Sequence, residues 1–345
     1  MEKILIHTPG SVSEILVGAE WQSAARLIPA EDTVIVTDTT VFDIYGGMFP
    51  AVPVVKIDPG ERSKSLKAIE RLADQLLKTG LVRTGFILAV GGGVVCDMAG
   101  FLASVFMRGI RCGYVSTTLL SQVDASTGGK TGVNLGSVKN IIGTFRQPEF
   151  VICDPSMLKT LPEDEYLSGL AELIKTGLIG DPSIIDALED KYEEIMNRDT
   201  ELLPHLVAKA IRFKASVVSE DEKESGLRRI LNFGHTYGHA IELVKSAKHG
   251  FAVAEGIKLA AHFSLEKGFI GKEEFSRVVN LLKRYNLLQG SMIPAGKMKE
   301  LVAYDKKRTG TEIHFVFIEA IGRGLVKRLP VEEVTAFYSN LTAEK

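Results

Sequence analysis

Residues 86–107 constrain the fold more than any other stretch. They form a largely apolar run with one charge, Asp97, broken by Gly91-Gly92-Gly93. A membrane span is a poor account of it, because an Asp near a bilayer centre costs about 2.5–3.5 kcal/mol and each glycine weakens a helix by roughly 1 kcal/mol. A buried strand over 86–90, a glycine turn and a buried helix to about Val105 account for the whole run. Similar short apolar runs lie on either side: residues 33–37 (TVIVT), 52–57 (VPVVKI), 112–116 (CGYVS) and 150–153 (FVIC). Between two of them, residues 65–78 place Leu66, Ile69, Leu72, Ala73, Leu76 and Leu77 at helical spacing. Strands alternating with helices predict parallel strands joined by crossover helices.

The pattern changes near Pro155–Pro162. From Glu163 to about Arg284 the chain reads as helix: 165–178, 184–196, 202–221, 233–244, 255–267 and 272–284. Residues 312–318 (EIHFVFI) alternate like a strand, Gly322-Arg323-Gly324 is a turn, and residues 325–329 are its partner. The expected class is therefore α/β, with an N-terminal Rossmann-like doubly wound parallel sheet in residues 1–160 and a mainly α-helical C-terminal domain in residues 161–345. A chain of 345 residues with 45% hydrophobic and 24% charged residues suits two folded domains and excludes disorder. A formal net charge of −2 lacks the basic excess of a nucleic-acid binder. Neither nucleic acid nor membrane is an expected partner. The three cysteines, Cys96, Cys112 and Cys153, fit no C-x-x-C pattern. With an N-terminus (MEKILIHTPG) that lacks a long apolar leader, they suggest reduced thiols and a cytoplasmic setting.

The glycine turn follows a strand and opens a helix, so its backbone N–H groups and helix dipole suit a phosphate or dinucleotide. It is not a G-x-G-x-x-G fingerprint, since Cys96 stands where the last glycine would be, nor a Walker loop. Residues 122–134 (QVDASTGGKTGVN) are polar and glycine-rich and read as a loop, near which Lys130, Lys139 and Asn140 suit an anionic substrate. His235 and His239 stand four apart, one face of a helix, with His249 close behind. The zincin H-E-x-x-H pattern is absent, because Thr236 occupies the Glu position. Glu172 and Lys175 share one face of an apolar helix and are either a salt bridge or, for Glu172, a distant metal ligand. Arg228 is either a solvated charge or an anion clamp.

Taken together, GGGVVCDMAGF (91–101), STTLLSQVDASTGGKTGVN (116–134), AELIKTGLI (171–179) and RRILNFGHTYGHAIE (228–242) resemble the 3-dehydroquinate synthases of the sugar-phosphate cyclase family, in the family's order. The resemblance implies a dehydroquinate synthase-like fold, an NAD site, and a divalent metal, zinc or cobalt, held by Glu172, His235 and His249. It implies NAD contacts at Asp38, Glu61, Lys64, Gly92, Gly93, Val94, Asp97, Thr117, Thr118, Lys139 and Thr160. Substrate contacts fall on Arg108, Asp124, Lys130, Asn140, Glu172, Lys175, Lys214, Arg228, Asn232, His235 and Lys306 or Lys307. Catalytic roles fall on His239, Glu224 and Lys175. The implied substrate is a small sugar phosphate, 3-deoxy-D-arabino-heptulosonate 7-phosphate. NAD oxidises a ring hydroxyl, phosphate leaves by β-elimination, the ketone is reduced again, and an intramolecular aldol step closes 3-dehydroquinate. A homodimer is implied, with Arg108 reaching the neighbouring site. Three alternatives remain open: a cyclase making an inosose or valiolone, a metal-dependent polyol or glycerol-phosphate dehydrogenase that would release NADH, and a non-catalytic nucleotide-binding protein.

Overall fold

The computed structural model describes residues 1–29, 31–136, 138–303 and 308–343. In chain order the elements are β1 (Glu2–Thr8), β2 (Ser11–Val17), β3 (Thr33–Asp38), α1 (Thr39–Tyr45), β4 (Val54–Ile57), α2 (Leu66–Lys78), β5 (Phe86–Gly91), α3 (Gly93–Val105), β6 (Arg111–Ser116), β7 (Lys130–Leu135), β8 (Val138–Phe145), β9 (Phe150–Cys153), α4 (Glu163–Ile179), α5 (Pro182–Asp190), α6 (Tyr192–Met196), α7 (Leu202–Glu220), α8 (His235–Lys245), α9 (His249–Glu266), α10 (Lys272–Arg284), α11 (Ala295–Ala303), β10 (Arg308–Thr309), β11 (Glu312–Ala320), β12 (Arg323–Pro330) and α12 (Val331–Ala343). They form two units: Met1–Pro162 with Arg198–Lys223, and Glu163–Asn197 with Glu224–Lys345.

The first unit holds a seven-stranded sheet in the order β1-β2-β9-β6-β5-β3-β4. The β1–β2 pair is antiparallel and every other pair is parallel. β5 and β9 are buried at every residue, which is why they read as unbroken apolar runs rather than alternating ones. α2 turns Ala68, Ile69, Leu72 and Leu76 inward, and Ser65 caps it by accepting from the Ala68 N–H. One core cluster gathers Trp21, Ile35, Leu88, Val90, Val115, Phe150 and Ile152. After β3 the chain goes outward to β4 and then returns to β5 on β3's other flank. Strand order thus reverses between β3 and β5, with Asp38 and Gly91 at their carboxyl ends, the usual ligand position in such sheets.

Three features of this unit differ from the sequence reading. Residues 122–134 are not a loop: Ser121–Ala125 form a π-helical turn, and Lys130 begins β7, paired with β8 in a two-stranded ribbon. Gly132 of β7 and Gly143 of β8 stand opposite each other in the ribbon: a Cβ on Gly132 would lie 2.6 Å from the Ile142 carbonyl oxygen and one on Gly143 2.1 Å from that of Thr131. The β1–β2 hairpin is also absent from that reading, since its first strand is half-exposed and weakly apolar. Finally, α7 packs with this unit on β1 and the Ser121–Ala125 turn, so the units do not follow the contiguous 1–160 and 161–345 division. α7 is tied down by ion pairs of Arg212 with Glu2 and Lys214 with Asp124.

The second unit is helical, with a three-stranded antiparallel sheet β10-β11-β12. Every residue of α4 from Tyr166 to Ile179 is buried, as expected of a central helix apolar on all sides. Phe263 of α9 packs on Phe315 and Phe317 of β11 and on Phe337 of α12, all distant in sequence. The predicted helix 184–196 is two helices, because Lys191 (φ −116°, ψ 37°) breaks the ladder between α5 and α6. α8 begins at His235 rather than Phe233, and α9 at His249 rather than Glu255. Among the described residues no helix is long and apolar enough to cross a membrane.

Candidate metal and nucleotide sites

Glycines set the geometry of the metal-binding candidates. Gly250 lies so close to α4 that a Cβ there would sit 2.2 Å from the Ser168 carbonyl oxygen, and its N–H donates to Ser168 Oγ at 2.9 Å. Gly256 approaches α8 equally closely, a Cβ falling 2.0 Å from the Gly234 oxygen. Gly234 itself takes φ 78° to open α8. Side chains larger than hydrogen would hold these helices apart. Without them, His235 from α8 and His249 from α9 meet Glu172 from α4, and their ligand atoms all lie within 4.8 Å of one another.

Glu172 divides its carboxylate. Oε1 faces His249 Nε2 at 3.1 Å and His235 Nε2 at 3.6 Å, while Oε2 pairs with Lys175, the two side chains being almost wholly buried. The carboxylate therefore leaves room for both readings, one on each oxygen. The other imidazole nitrogens are engaged as well: His249 Nδ1 meets Glu242 Oε2 at 3.1 Å, and His235 Nδ1 meets the Phe233 carbonyl at 3.1 Å. Burial, the largest influence on His249, disfavours its charged form. Hydrogen bonds to Glu172 and Glu242 outweigh it and push the imidazole up to about 10. One carboxylate and two Nε2 atoms, each ring held from behind, are a donor set that fits a zinc-type cation. His239 stands beside this trio, its ring 5.0 Å from that of His235, and is exposed.

The other candidates in this unit gather on one turn. Residues Leu227–Asn232 carry Arg228, a residue only 1% exposed, and Asn232, whose amide donates to Glu224. The turn is seated from below: Arg229 meets His314 Nε2 at 2.6 Å, and Ile230 occupies the space left by Gly324. Lys306 and Lys307 lie outside the described residues.

In the first unit, Gly92 stands at the N-cap of α3 and makes no side-chain cap hydrogen bond. The glycines there also answer to packing: a Cβ on Gly91 would meet Val95 at 2.5 Å and one on Gly92 would meet Thr118 at 2.8 Å. Val94 follows on the first turn of α3, half-buried. Asp97 pairs with buried Lys64. Burial raises the Asp97 carboxyl, and Lys64 pulls it back. Asn134 joins several candidates. Its backbone N–H donates to the Lys64 carbonyl at 3.0 Å, its amide donates to Glu61 at 2.8 Å, and its side-chain oxygen accepts from the Asn140 N–H at 2.8 Å. Asp38 caps α1 through Val41, the Thr117 N–H donates to the Gly91 carbonyl, Thr118 caps the following turn, and Thr160 meets Tyr45 at 2.6 Å. Lys214 reaches both the carbonyl and the carboxylate of Asp124. Lys130, Asn140 and Arg108 are exposed, and Lys139 is half-buried. Sequence reasoning missed Asn134 and Glu242 as parts of these sites. The signal for Glu242 was its place on α8, seven residues after His235 and on the same face.

The chain matches the family model described as 3-dehydroquinate synthase N-terminal over residues 54–168 and that described as 3-dehydroquinate synthase C-terminal over residues 169–308. The chain belongs to the 3-dehydroquinate synthase family. A 3-dehydroquinate synthase of Halorhodospira halophila is 42% identical over 311 residues, covering 88% of each chain. That of Nitrosospira multiformis is 41% identical, covering 99% of this chain and 98% of the relative. Among solved structures, 2-deoxy-scyllo-inosose synthase complexed with carbaglucose-6-phosphate, NAD+ and Co2+ superposes with TM-score 0.86 at 25% identity, covering 98% of this chain and 100% of that one. The 2-epi-5-epi-valiolone synthase of Streptomyces hygroscopicus, with NAD+ and Zn2+ bound, gives TM-score 0.88 at 24% identity, covering 98% and 99%. A likeness at that identity extends to the fold alone.

Proposed function

We propose that the chain converts 3-deoxy-D-arabino-heptulosonate 7-phosphate to 3-dehydroquinate and inorganic phosphate, with NAD and one divalent cation, zinc or cobalt. The observation that carries this is the Glu172–His235–His249 trio with an acceptor behind each ring, in a chain of this family. Those three residues would hold the cation. Bound there, it supplies Lewis acidity toward a sugar alkoxide, and NAD supplies reversible hydride acceptance.

The chain's own residues supply the rest. The uncapped N-terminus of α3 at Gly92 and Gly93 offers N–H groups and dipole to a pyrophosphate. Lys64 and Asp97 keep the adjacent helix face polar and fixed. In the second unit, Arg228 presents the planar fork that suits a carboxylate, and Asn232, its amide held by Glu224, suits a phosphate oxygen. In the first unit, Lys214, positioned by Asp124, and Lys130 and Asn140 suit an anionic substrate. His239, beside the trio but outside it, moves protons as an acid–base group. Lys175 neutralises Glu172, which leaves one carboxylate oxygen directed at the histidines.

The working species in this reading is a homodimer, with exposed Arg108 reaching the neighbouring site. Arg108 stands at the end of α3 in a run of positive φ (Met107 49°, Arg108 67°, Gly109 115°) that carries it off the helix path. A cytoplasmic setting agrees with three buried free thiols.

The deciding experiment mixes protein, NAD, zinc and the heptulosonate phosphate and follows inorganic phosphate and NADH together. Phosphate release without accumulating NADH is expected. Accumulating NADH without phosphate would favour a polyol dehydrogenase. Phosphate release from glucose 6-phosphate, which lacks a carboxylate, would favour an inosose-forming cyclase.

A further inference from the structure

We propose that Glu242 is a positioning residue for the metal centre: its carboxylate, behind His249, holds that imidazole in the tautomer and orientation that direct Nε2 toward Glu172 and His235. The inference deepens the metal reading above and rests on it.

The geometry is specific. His249 opens α9 and is partly exposed. Nε2 lies 3.1 Å from Glu172 Oε1, and Nδ1 lies 3.1 Å from Glu242 Oε2, at the opposite side of the ring. A carboxylate oxygen at Nδ1 accepts from that ring N–H, which leaves Nε2 as the nitrogen that faces Glu172 and His235. The Glu242 side chain is 8% exposed, and a carboxylate so buried is costly unless a donor faces it. Its placement follows from α8. His235 and Glu242 are seven residues apart on one helical face, and Ser246, with φ 50°, then ends the helix and turns the chain back toward His249. α8 therefore supplies one ligand directly and orients another that belongs to α9. His235 needs no such carboxylate, because the Phe233 carbonyl fills that place.

The test measures zinc affinity of the full chain by competition with a chromophoric chelator, with the absorption spectrum of the cobalt-loaded protein as a second readout. Glu242→Ala is expected to bind zinc about 10- to 100-fold more weakly than the parent and to shift the cobalt spectrum. Glu242→Gln keeps an acceptor but loses the charge, so its loss is expected at the low end of that range, about tenfold. If Glu242→Ala fails to fold, the Gln variant decides the matter. Affinities within twofold of the parent in the folded variants, with an unshifted cobalt spectrum, overturn the role of Glu242 while leaving the metal site standing. A parent protein that binds no zinc overturns the metal reading itself, and this inference with it.

Discussion

Gly250→Ala tests how the Glu172–His235–His249 trio is assembled without touching any of its members. The new Cβ would lie 2.2 Å from the Ser168 carbonyl oxygen, 2.4 Å from its Cα and 2.6 Å from its carbonyl carbon. Ordinary contact is about 3.5 Å, so α9 must retreat from α4 by about 1 Å. All three near atoms are backbone of a buried helix and cannot swing aside. Overpacking of this kind costs about 1–3 kcal/mol. The retreat also carries His249 away from Glu172, and metal sites tolerate errors of about 0.2 Å. A misplacement of about 1 Å costs on the order of 100-fold in turnover. The expected result is a lower melting temperature, weaker zinc retention on dialysis, and phosphate release reduced about 100-fold. Gly296→Ala on α11 is the control, since nothing lies within 4 Å of its added Cβ; it should be neutral or slightly stabilising. A Gly250→Ala protein that melts, holds zinc and turns over like the parent would refute the argument that close helix contact places the ligands.

Three further outcomes are expected. His239→Ala should retain zinc and NAD but turn over about 10²–10⁴-fold more slowly, and unchanged turnover would make the residue structural. Asn134→Ala cuts the side-chain links to Glu61 and Asn140 and should raise the KM for NAD with zinc content unaltered, as titration and metal analysis would show. Burial pushes all three thiols up, Cys112 to about 11. A thiol reagent at pH 8 should therefore label the native chain hardly at all and the unfolded chain three times. Because unfolded thiols ionise near about 8.5 and folded ones do so higher, their contribution to stability is intact below that pH and falls as pH rises past it. Denaturant melts from pH 7 to 10 would reveal the decline.

Local chemistry made much of this protein legible in its sequence. β5, the glycine turn and α3 were readable because strand, turn and helix each follow from neighbours a few residues apart. The parallel sheet followed from unbroken apolar strands alternating with a capped amphipathic helix. His235 and His239 fall on one face of α8 by helical spacing alone, and the family motifs extended that reading to Glu172 and His249. Elements with weak or mixed patterns stayed hidden. The β7–β8 ribbon looks like a loop because its glycines and polar residues signal flexibility, whereas in the folded chain they permit close strand pairing.

Only tertiary structure decided that α7, in the middle of the helical half, belongs with the first unit, because its partners β1 and the Ser121–Ala125 turn are remote in sequence. The same holds for which oxygen of Glu172 serves Lys175 and which faces the histidines, and for Glu242 standing behind His249. Periodicity fixes which residues share a face of one helix. How near two helices approach depends on whether a Cβ is present where they cross, and at Gly250 and Gly256 the distance between backbones, not any local preference, sets the geometry of the trio.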